Sequence, residues 1–319
     1  MKHAIPLGQV LPGGLGRAVA IGTFDGVHRG HQELFRRLAA EAERRGLESV
    51  ALTFEPHPLA VIHPAAAPPV LTDTAEKVAL INDLGVDQVV VLPFDKARAN
   101  QRAADFVEEV LVGRLQARLV LEGWNFCFGH GREGTPELLA ELGRQWGFEA
   151  SVLPPVSVEG ETVSSTAIRS HVGRGRVERA SHLLGRPYAV AGQVVAGDQR
   201  GRTLGYPTAN LALPPHRLLP ARGVYAVRAR LGTQQEPPGF DAPFICGMAN
   251  VGLRPTFGGG QVSVEAHLFD FDQDLYSRWM RLEFISKLRD ERTFKSPQAL
   301  AHQLDQDAGA ARHILGQAR

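Results

Sequence analysis

Cysteine is scarce: the 319 residues contain only Cys127 and Cys246, which leaves no disulfide framework and no CxxC metal pair. Net charge is nearly absent too. Against 35 Lys+Arg stand 34 Asp+Glu, a formal +1, which argues against nucleic-acid binding through a broad basic face. Arginine outnumbers lysine but is spread along the whole chain, so it makes no patch, while single arginines remain free to hold phosphates. No apolar run approaches the ~18 residues of a membrane span. The stretch from Met1 to Val10 carries prolines and polar residues where a signal peptide would be apolar. A soluble cytoplasmic protein without membrane or nucleic-acid partners is expected. No G-x-x-x-x-G-K-[ST] occurs, so phosphate handling is not of the P-loop kind. Internal repeats and low-complexity tracts are absent as well.

What is present divides into two textures. The first half alternates strand and helix signals. Val19–Ile21, Ser49–Phe54, Gln88–Leu92, Arg118–Glu122 and Ala150–Leu153 read as strands. Helices are expected behind the first strand, over Asp73–Leu84 and Gln101–Leu115, and from the Thr135-Pro136 cap to about Trp146. A proline-rich loop runs from Pro58 to Pro69, long enough to be functional. Such alternation predicts a parallel sheet with helices on both faces. Ser164–Leu184 is helical and arginine-rich, and Gly185-Arg186-Pro187 ends it. Beyond it, Ala189–Val195, Gly223–Leu231, Phe244–Asn250, Val262–Phe269 and Met280–Ile285 are short β-rich runs separated by glycine and proline turns. They predict a small antiparallel barrel, followed by a helix from the Ser296-Pro297 cap to about Leu315. Two domains are expected, 1–185 and 186–319, each long enough for its own core.

The segment Gly22-Thr23-Phe24-Asp25-Gly26-Val27-His28-Arg29-Gly30-His31 is strand exit, glycine-rich turn and helix start. Leu34, Phe35, Leu38, Ala39 and Ala42 follow at helical spacing. A helix N-terminus offers unpaired N–H groups and a positive dipole end, which suits phosphate. The two histidines add donors for a phosphoryl group whose charge grows during transfer. Incidental histidines and metal ligation by the pair are the competing readings. In Gly205-Tyr206-Pro207-Thr208-Ala209-Asn210, proline forces an extended chain, so Thr208 and Asn210 face the same way. They form a pair of hard oxygen ligands suited to Mg²⁺. Glycines such as Gly197 and Gly205 let backbone approach a phosphate closely. Gly129-x-Gly131-x-x-Gly134 with Glu149 ~20 residues on satisfies the dinucleotide pattern. It trails its strand by several residues and contains His130 and Arg132 where tight packing is wanted. A Rossmann dehydrogenase is therefore a weaker competitor.

The chain as a whole resembles the bacterial riboflavin kinase/FAD synthetases. The first run matches the HxGH signature of nucleotidyltransferases in its long form, GTFDGVHxGHQ. Thr53-Phe54-Glu55-Pro56-His57-Pro58 matches TFEPHP, Gly123-Trp124-Asn125-Phe126-Cys127-Phe128-Gly129 matches G-x-[DN]-F-x-F-G, and Ser164-Ser165-Thr166-Ala167-Ile168-Arg169 matches SSTxIR. Gly201-Arg202-Thr203-Leu204-Gly205-Tyr206-Pro207-Thr208-Ala209-Asn210-Leu211 resembles the flavokinase GRxxGxPTANL, and Ala249–Gly258, Val264–Phe271 and Asp274–Tyr276 continue the likeness.

The resemblance implies a Rossmann-like nucleotidyltransferase domain followed by a flavokinase barrel. It implies riboflavin, FMN, FAD and ATP as substrates and products, with Mg²⁺ required. It assigns His28, His31, Arg169 and Glu265 to catalysis. Gly22, Phe24, Asp25, Gly26, Gly30, Asn125, Ser164, Thr166, Gly197, Arg202 and Gly205 fall to ATP and its phosphates, Phe54 and Phe128 to the flavin, and Thr208 and Asn210 to the metal. On residue type alone, Phe54 and Phe128 read equally as core, Ser164 and Thr166 as helix caps, and Glu265 as a solvated strand residue. Ser277 stands where the family usually has glycine, so the flavin-side loop there is left open. A kinase with a catalytically silent first domain and a non-catalytic flavin-binding regulator are the alternatives. Oligomeric state is not legible.

Overall fold

Apolar runs of the first half become central strands because both of their faces are covered by helices. The computed structural model describes residues 4–9, 16–197, 205–254 and 261–316, in two units, 1–165 and 166–319. In the first unit β1 (Ile5–Pro6), β2 (Arg17–Ile21), β3 (Glu48–Glu55), β4 (Gln88–Pro93), β5 (Ala117–Gly123) and β6 (Glu149–Leu153) form one sheet. Its order is β1-β4-β3-β2-β5-β6 and every pairing is parallel.

Helices α1 (Arg29–Arg45), α2 (Pro58–Ile62), α3 (Thr74–Asp83), α4 (Lys96–Ala99), α5 (Ala103–Phe106) and α6 (Pro136–Trp146) connect the strands. Alternate residues of each strand feed two cores. Ala18, Ala20, Ala51 and Leu121 pack against Leu34, Phe35 and Leu38 of α1 and Ile81 of α3. Val19, Ile21, Leu52 and Val120 pack against Phe106, Leu139 and Leu142 on the opposite side. Thr135 caps α6 as expected, accepting from the Leu138 N–H, while Asp73, read as the first helical residue, instead caps α3 by accepting from the Glu76 N–H.

Two features were not expected. The helix predicted over Gln101–Leu115 is only α5, which widens into a π-helical stretch over Val107–Arg114. Gly113 permits this, since a Cβ there would lie 3.1 Å from the Glu108 carbonyl. The proline-rich loop contains α2 and a 3₁₀ turn, Pro64–Ala66. A short hairpin, β7 (Ser157–Val158) with β8 (Glu161–Thr162), precedes the second unit.

The strand order changes direction at β2, whose neighbours are β3 and β5. Such a switch point leaves a crevice beyond the carboxyl ends of the strands. The HxGH segment leaves β2 there, and the Gly123–Gly129 segment leaves β5 beside it.

In the second unit, α7 (Ser165–Gly173) and α8 (Val177–Leu184) precede a closed antiparallel barrel. Its strands are β9 (Tyr188–Val195), β10 (Ala209–Ala212), β11 (Gly223–Leu231), β12 (Phe244–Arg254), β13 (Gln261–Leu268) and β14 (Trp279–Arg289), in the order β10-β13-β12-β11-β14-β9. β10 was not anticipated: four residues inside a proline-flanked motif carry too little pattern. Tyr188 and Tyr225 meet Phe284 with ring centroids 6.5 and 5.3 Å apart. A final helix, α9 (Pro297–Ile314), lays Ala311 over Val224, Ala226, Cys246 and Met248. Arg289 and the buried Asp307 bind it to β14 through a bidentate pair at 2.7 to 2.9 Å.

The helical passage over Ser164–Leu184 is broken at Gly175, whose φ is +73°. A Cβ there would lie 2.9 Å from the Tyr225 hydroxyl, so the helical pair is seated closely on the barrel. Glu178 also accepts from the Lys287 N–H at 3.2 Å. A fragment starting at Thr166 is therefore expected to melt higher than one starting at Pro187. A gap of at least about 5 °C follows from the apolar area of Val177, Leu183 and Leu184 that the shorter one loses. Circular dichroism melts of the two fragments check this; equal midpoints would contradict it.

Candidate active sites

The turn after β2 is strained and tightly held. Phe24 and Val27 have φ of +49° and +40°, conformations that L side chains rarely adopt. Gly22 has room for nothing larger, because its Cβ would stand 2.6 Å from the Phe24 ring. The strain is offset by buried hydrogen bonds. The Asp25 carboxylate accepts from the Leu71 N–H at 2.9 Å and the Thr72 N–H at 3.0 Å, and the Gly26 N–H donates to Thr72 Oγ1 at 3.0 Å. Thr53 Oγ1 and the buried Lys77 ammonium both donate to the Thr23 carbonyl at 3.1 Å. Burial pushes the Lys77 ammonium down from its ordinary value, against the pull of Asp25, Glu55 and Asp73. Asp25 thus works inward, on the loop at residues 71–72.

That turn delivers the two histidines. His28 caps α1, its Nδ1 accepting from the His31 N–H at 3.3 Å. The two rings stack with centroids 3.5 Å apart and planes 16° from parallel. Lone pairs in nearly parallel rings do not converge, so the stack does not suit a shared metal. A Cβ on Gly30 would come within 3.2 Å of the His28 ring, so glycine keeps the stack unobstructed. Of the SSTxIR hydroxyls it is Ser165, not assigned from the sequence, that donates to the Asp25 carbonyl, at 2.9 Å. Ser164 and Thr166 flank it at the α7 start, and Arg169 follows four residues later on the same helix.

Beside this, Asn125 is exposed on the loop leaving β5. Phe54 and Phe128 are buried members of an aromatic run: Phe94–Phe54–Phe106–Phe128, with centroids 5.8, 6.5 and 5.7 Å apart in that order. Phe126 stacks on Phe128 at 6.0 Å. Phe54 and Phe128 are therefore both part of the core, near the carboxyl ends of the strands. The GxGxxG decoy dissolves: Gly134 exchanges two backbone hydrogen bonds with Phe128, closing a small hairpin. Glu149 begins β6 at the amino end of the strands, away from that hairpin, and pairs with Arg45 at 2.7 Å.

Sequence reasoning missed Glu122. It pairs in register with Ile21 on β2 and Val152 on β6. Its exposure is 0 %, and neither carboxyl oxygen has a partner among the described residues. Burial, and then the Glu137 charge, push its carboxyl up to about 7.

In the barrel, strand register builds a row. Asn210 on β10 lies opposite Glu265 on β13, which lies opposite Asn250 on β12. Thr208 precedes Asn210 by two residues and shares its side of the extended chain. A hydroxyl and an amide oxygen beside a carboxylate form a hard donor set that fits Mg²⁺. Among the described residues no group of three or more His, Cys, Asp or Glu side chains is poised for a metal. His267, two residues from Glu265, donates from Nδ1 to the Pro207 carbonyl at 2.8 Å, which fixes the proton on Nδ1. Desolvation holds its pKa down. Tyr206 packs edge-on to His267 at 5.0 Å and donates to Asp305 of α9. The two contacts seat Pro207 and Thr208 on β13, a positioning role legible only in the fold. Gly205 has φ +81° and Gly197 ends the described chain before it. Arg202 lies outside the described residues.

Ser277 has φ +64° and sits in a turn in which the Arg278 N–H donates to the Leu275 carbonyl at 3.1 Å.

Comparison with known proteins follows the same division. A family model described as FAD synthetase matches residues 15–167, and one described as riboflavin kinase matches 184–315. A bifunctional riboflavin kinase/FMN adenylyltransferase of Escherichia coli K12 is 38% identical over 301 residues, covering 94% of this chain and 93% of its own. One of Bacillus subtilis is 33% identical over 294 residues, 91% and 89% of the two chains. A crystal structure of a Streptococcus pneumoniae protein described as a macrolide-efflux protein superposes with a TM-score of 0.83 at 32% identity, over 95% of this chain and 97% of that one. Among the described residues no helix is long and apolar enough to cross a membrane.

Two predictions arise here. The Glu122 pKa in the folded chain, about 7, exceeds the ordinary 4.5. Stability of the first unit is therefore unaffected below the lower value. It falls as pH rises between the two, and the loss levels off at roughly 3 kcal/mol. Glu122→Gln removes that slope, so urea midpoints of parent and variant should diverge between pH 5 and pH 8; parallel curves would refute it. Ser277→Gly relieves a left-handed serine, worth about 0.5–1 kcal/mol after the added chain entropy. A raised melting temperature is expected, and a lowered one would show that the serine side chain is needed.

Proposed function

Because this chain belongs to the bifunctional riboflavin kinase/FMN adenylyltransferase family, we infer that it makes FAD in two steps at two sites. The protein is a transferase that phosphorylates riboflavin to FMN with ATP, then adenylylates FMN with a second ATP and releases pyrophosphate. We place the boundary between the two activities at Gly185, after the α7–α8 pair; the family matches, ending at 167 and beginning at 184, support it.

In the kinase domain Glu265 takes the proton from the ribityl 5′-hydroxyl, which attacks the γ-phosphorus of ATP. A general base must reach that proton, and a base on a barrel strand is held more rigidly than one on a loop. Thr208 and Asn210 hold Mg²⁺, which when bound supplies charge balance for the transferring phosphoryl group. Gly197, Gly205 and Arg202 attend the phosphates. The observation that carries this reading is the register of Asn210 against Glu265: metal-side oxygen and base are neighbours on one face.

In the first domain the FMN phosphate attacks the α-phosphorus of ATP. It is already anionic and needs no strong base. His28, His31 and Arg169 stabilise the charge that develops as pyrophosphate leaves. Gly22, Phe24, Gly26, Gly30 and the α1 N-terminus form the nucleotide cradle, and Asp25 shapes it from below. Asn125 attends the adenylate side, Ser164 and Thr166 the phosphates. Phe54 and Phe128 flank the isoalloxazine ring once the aromatic run parts to admit it.

The test is to incubate the protein with riboflavin, ATP and Mg²⁺ and resolve FMN and FAD chromatographically. His28→Ala and His31→Ala should each slow FAD formation about 10²-fold or more, as removal of a transition-state donor does, with FMN formation nearly unchanged. Glu265→Gln should abolish FMN formation while supplied FMN still becomes FAD. Normal FAD formation by both histidine variants would sink the first-domain roles and leave the silent-domain alternative. A Glu265→Gln protein that phosphorylates riboflavin normally would sink the base.

A further inference from the structure

The row of side chains on the barrel has two flanks, and the reading above uses only one. Asn210, with Thr208 beside it, lies on the β10 side of Glu265 and belongs to nucleotide and metal. Asn250 lies on the β12 side, directly opposite Glu265 in register. Residues paired this way carry Cβ atoms about 4.5–5.5 Å apart. Asn250 is half-buried, and its amide has no hydrogen-bond partner among the described residues. Next along the same face comes Gly252. A Cβ there would lie 2.8 Å from Asn250 Nδ2 and 2.6 Å from Glu291 Oε1. The missing Cβ therefore leaves a notch in the backbone that the Asn250 amide and the Glu291 carboxylate lean into from either side. Glu291 is otherwise engaged only loosely, by Arg222 at 3.6 Å.

In-line transfer requires the accepting hydroxyl and the leaving phosphate to approach phosphorus from opposite sides. With the nucleotide on the β10 flank of the base, the acceptor comes over β12. The acceptor ends in a flexible chain of hydroxyl groups, and a free amide, a backbone notch and a carboxylate in line make a track for such a chain. We propose that Asn250, at the Gly252 notch, is a substrate-binding residue that hydrogen-bonds a ribityl hydroxyl and so aims the terminal hydroxyl at Glu265. This rests on Glu265 as the kinase base.

An amide–hydroxyl bond is worth about 0.5–1.5 kcal/mol. Asn250→Ala should therefore raise the KM for riboflavin about 3- to 10-fold, while the KM for ATP and the conversion of supplied FMN to FAD stay as in the parent. Riboflavin fluorescence quenching without ATP should report the same loss in Kd. Gly252→Ala, which fills the notch, should act in the same direction. Flavins lacking one ribityl hydroxyl separate contact from packing. The analogue missing the hydroxyl that Asn250 binds should lose affinity for the parent and lose no more for Asn250→Ala. An unchanged riboflavin KM, a change confined to the KM for ATP, or additive losses with every analogue would overturn the assignment. Failure of the base is read separately, from Glu265→Gln turnover, because the binding measurements do not depend on it.

Discussion

The buried carboxylate of Asp25 is the constraint on which the first unit turns. Two backbone N–H groups at Leu71 and Thr72 end on it. Through Thr72 Oγ1 the same site also engages the Gly26 N–H. Together these bonds hold a turn in which two non-glycine residues sit at positive φ, at about 1–3 kcal/mol of strain each. The reward is directional. With the turn closed, the chain enters α1 at His28, which caps the helix with its own ring nitrogen and stacks against His31. Asp25 directs its charge to N–H groups of a loop distant in sequence.

The second unit reaches its arrangement by a different route. A closed antiparallel barrel fixes strand register all round, because a slip of one residue would turn every side chain to the wrong face. Register is what sets Asn210, Glu265 and Asn250 side by side. Contacts outside the strands then trim the geometry. His267 and Tyr206 seat the Pro207–Thr208 segment, and α9, tied through Asp305, Asp307 and Arg312, braces the outside. The two units therefore place their groups differently, one by a strained turn under hydrogen-bond tension, the other by sheet register.

Two buried ionisable groups of the first unit differ in how their burial is compensated. Glu122 occupies a position flanked by Ile21 and Val152, where an aliphatic residue would be at home. Its carboxyl is buried without a partner, so the fold favours its neutral form. Lys77, by contrast, is buried with two carbonyls near its ammonium and three carboxylates in range. The lysine's burial is compensated and the glutamate's is not.

The alternation of elements, the caps at Thr135 and Ser296 and the motif positions were legible in sequence. Each depends on residues within a few positions of one another. Much of the barrel was legible too, since its longer strands carry period-two patterning, whereas the four residues of β10 do not. Tertiary structure alone decided the rest. Pairing Asn250 with Glu265 depends on a strand register that no local pattern encodes. That Ser165 reaches the Asp25 carbonyl depends on bringing together residues 140 positions apart in the chain. The inward role of Asp25 needs a loop 46 residues away, and the burial of Glu122 needs the helices that close over its strand. Motifs name residue types by short-range spacing. Which of those residues share a face, a hydrogen bond or a dry environment is set by contacts between distant segments.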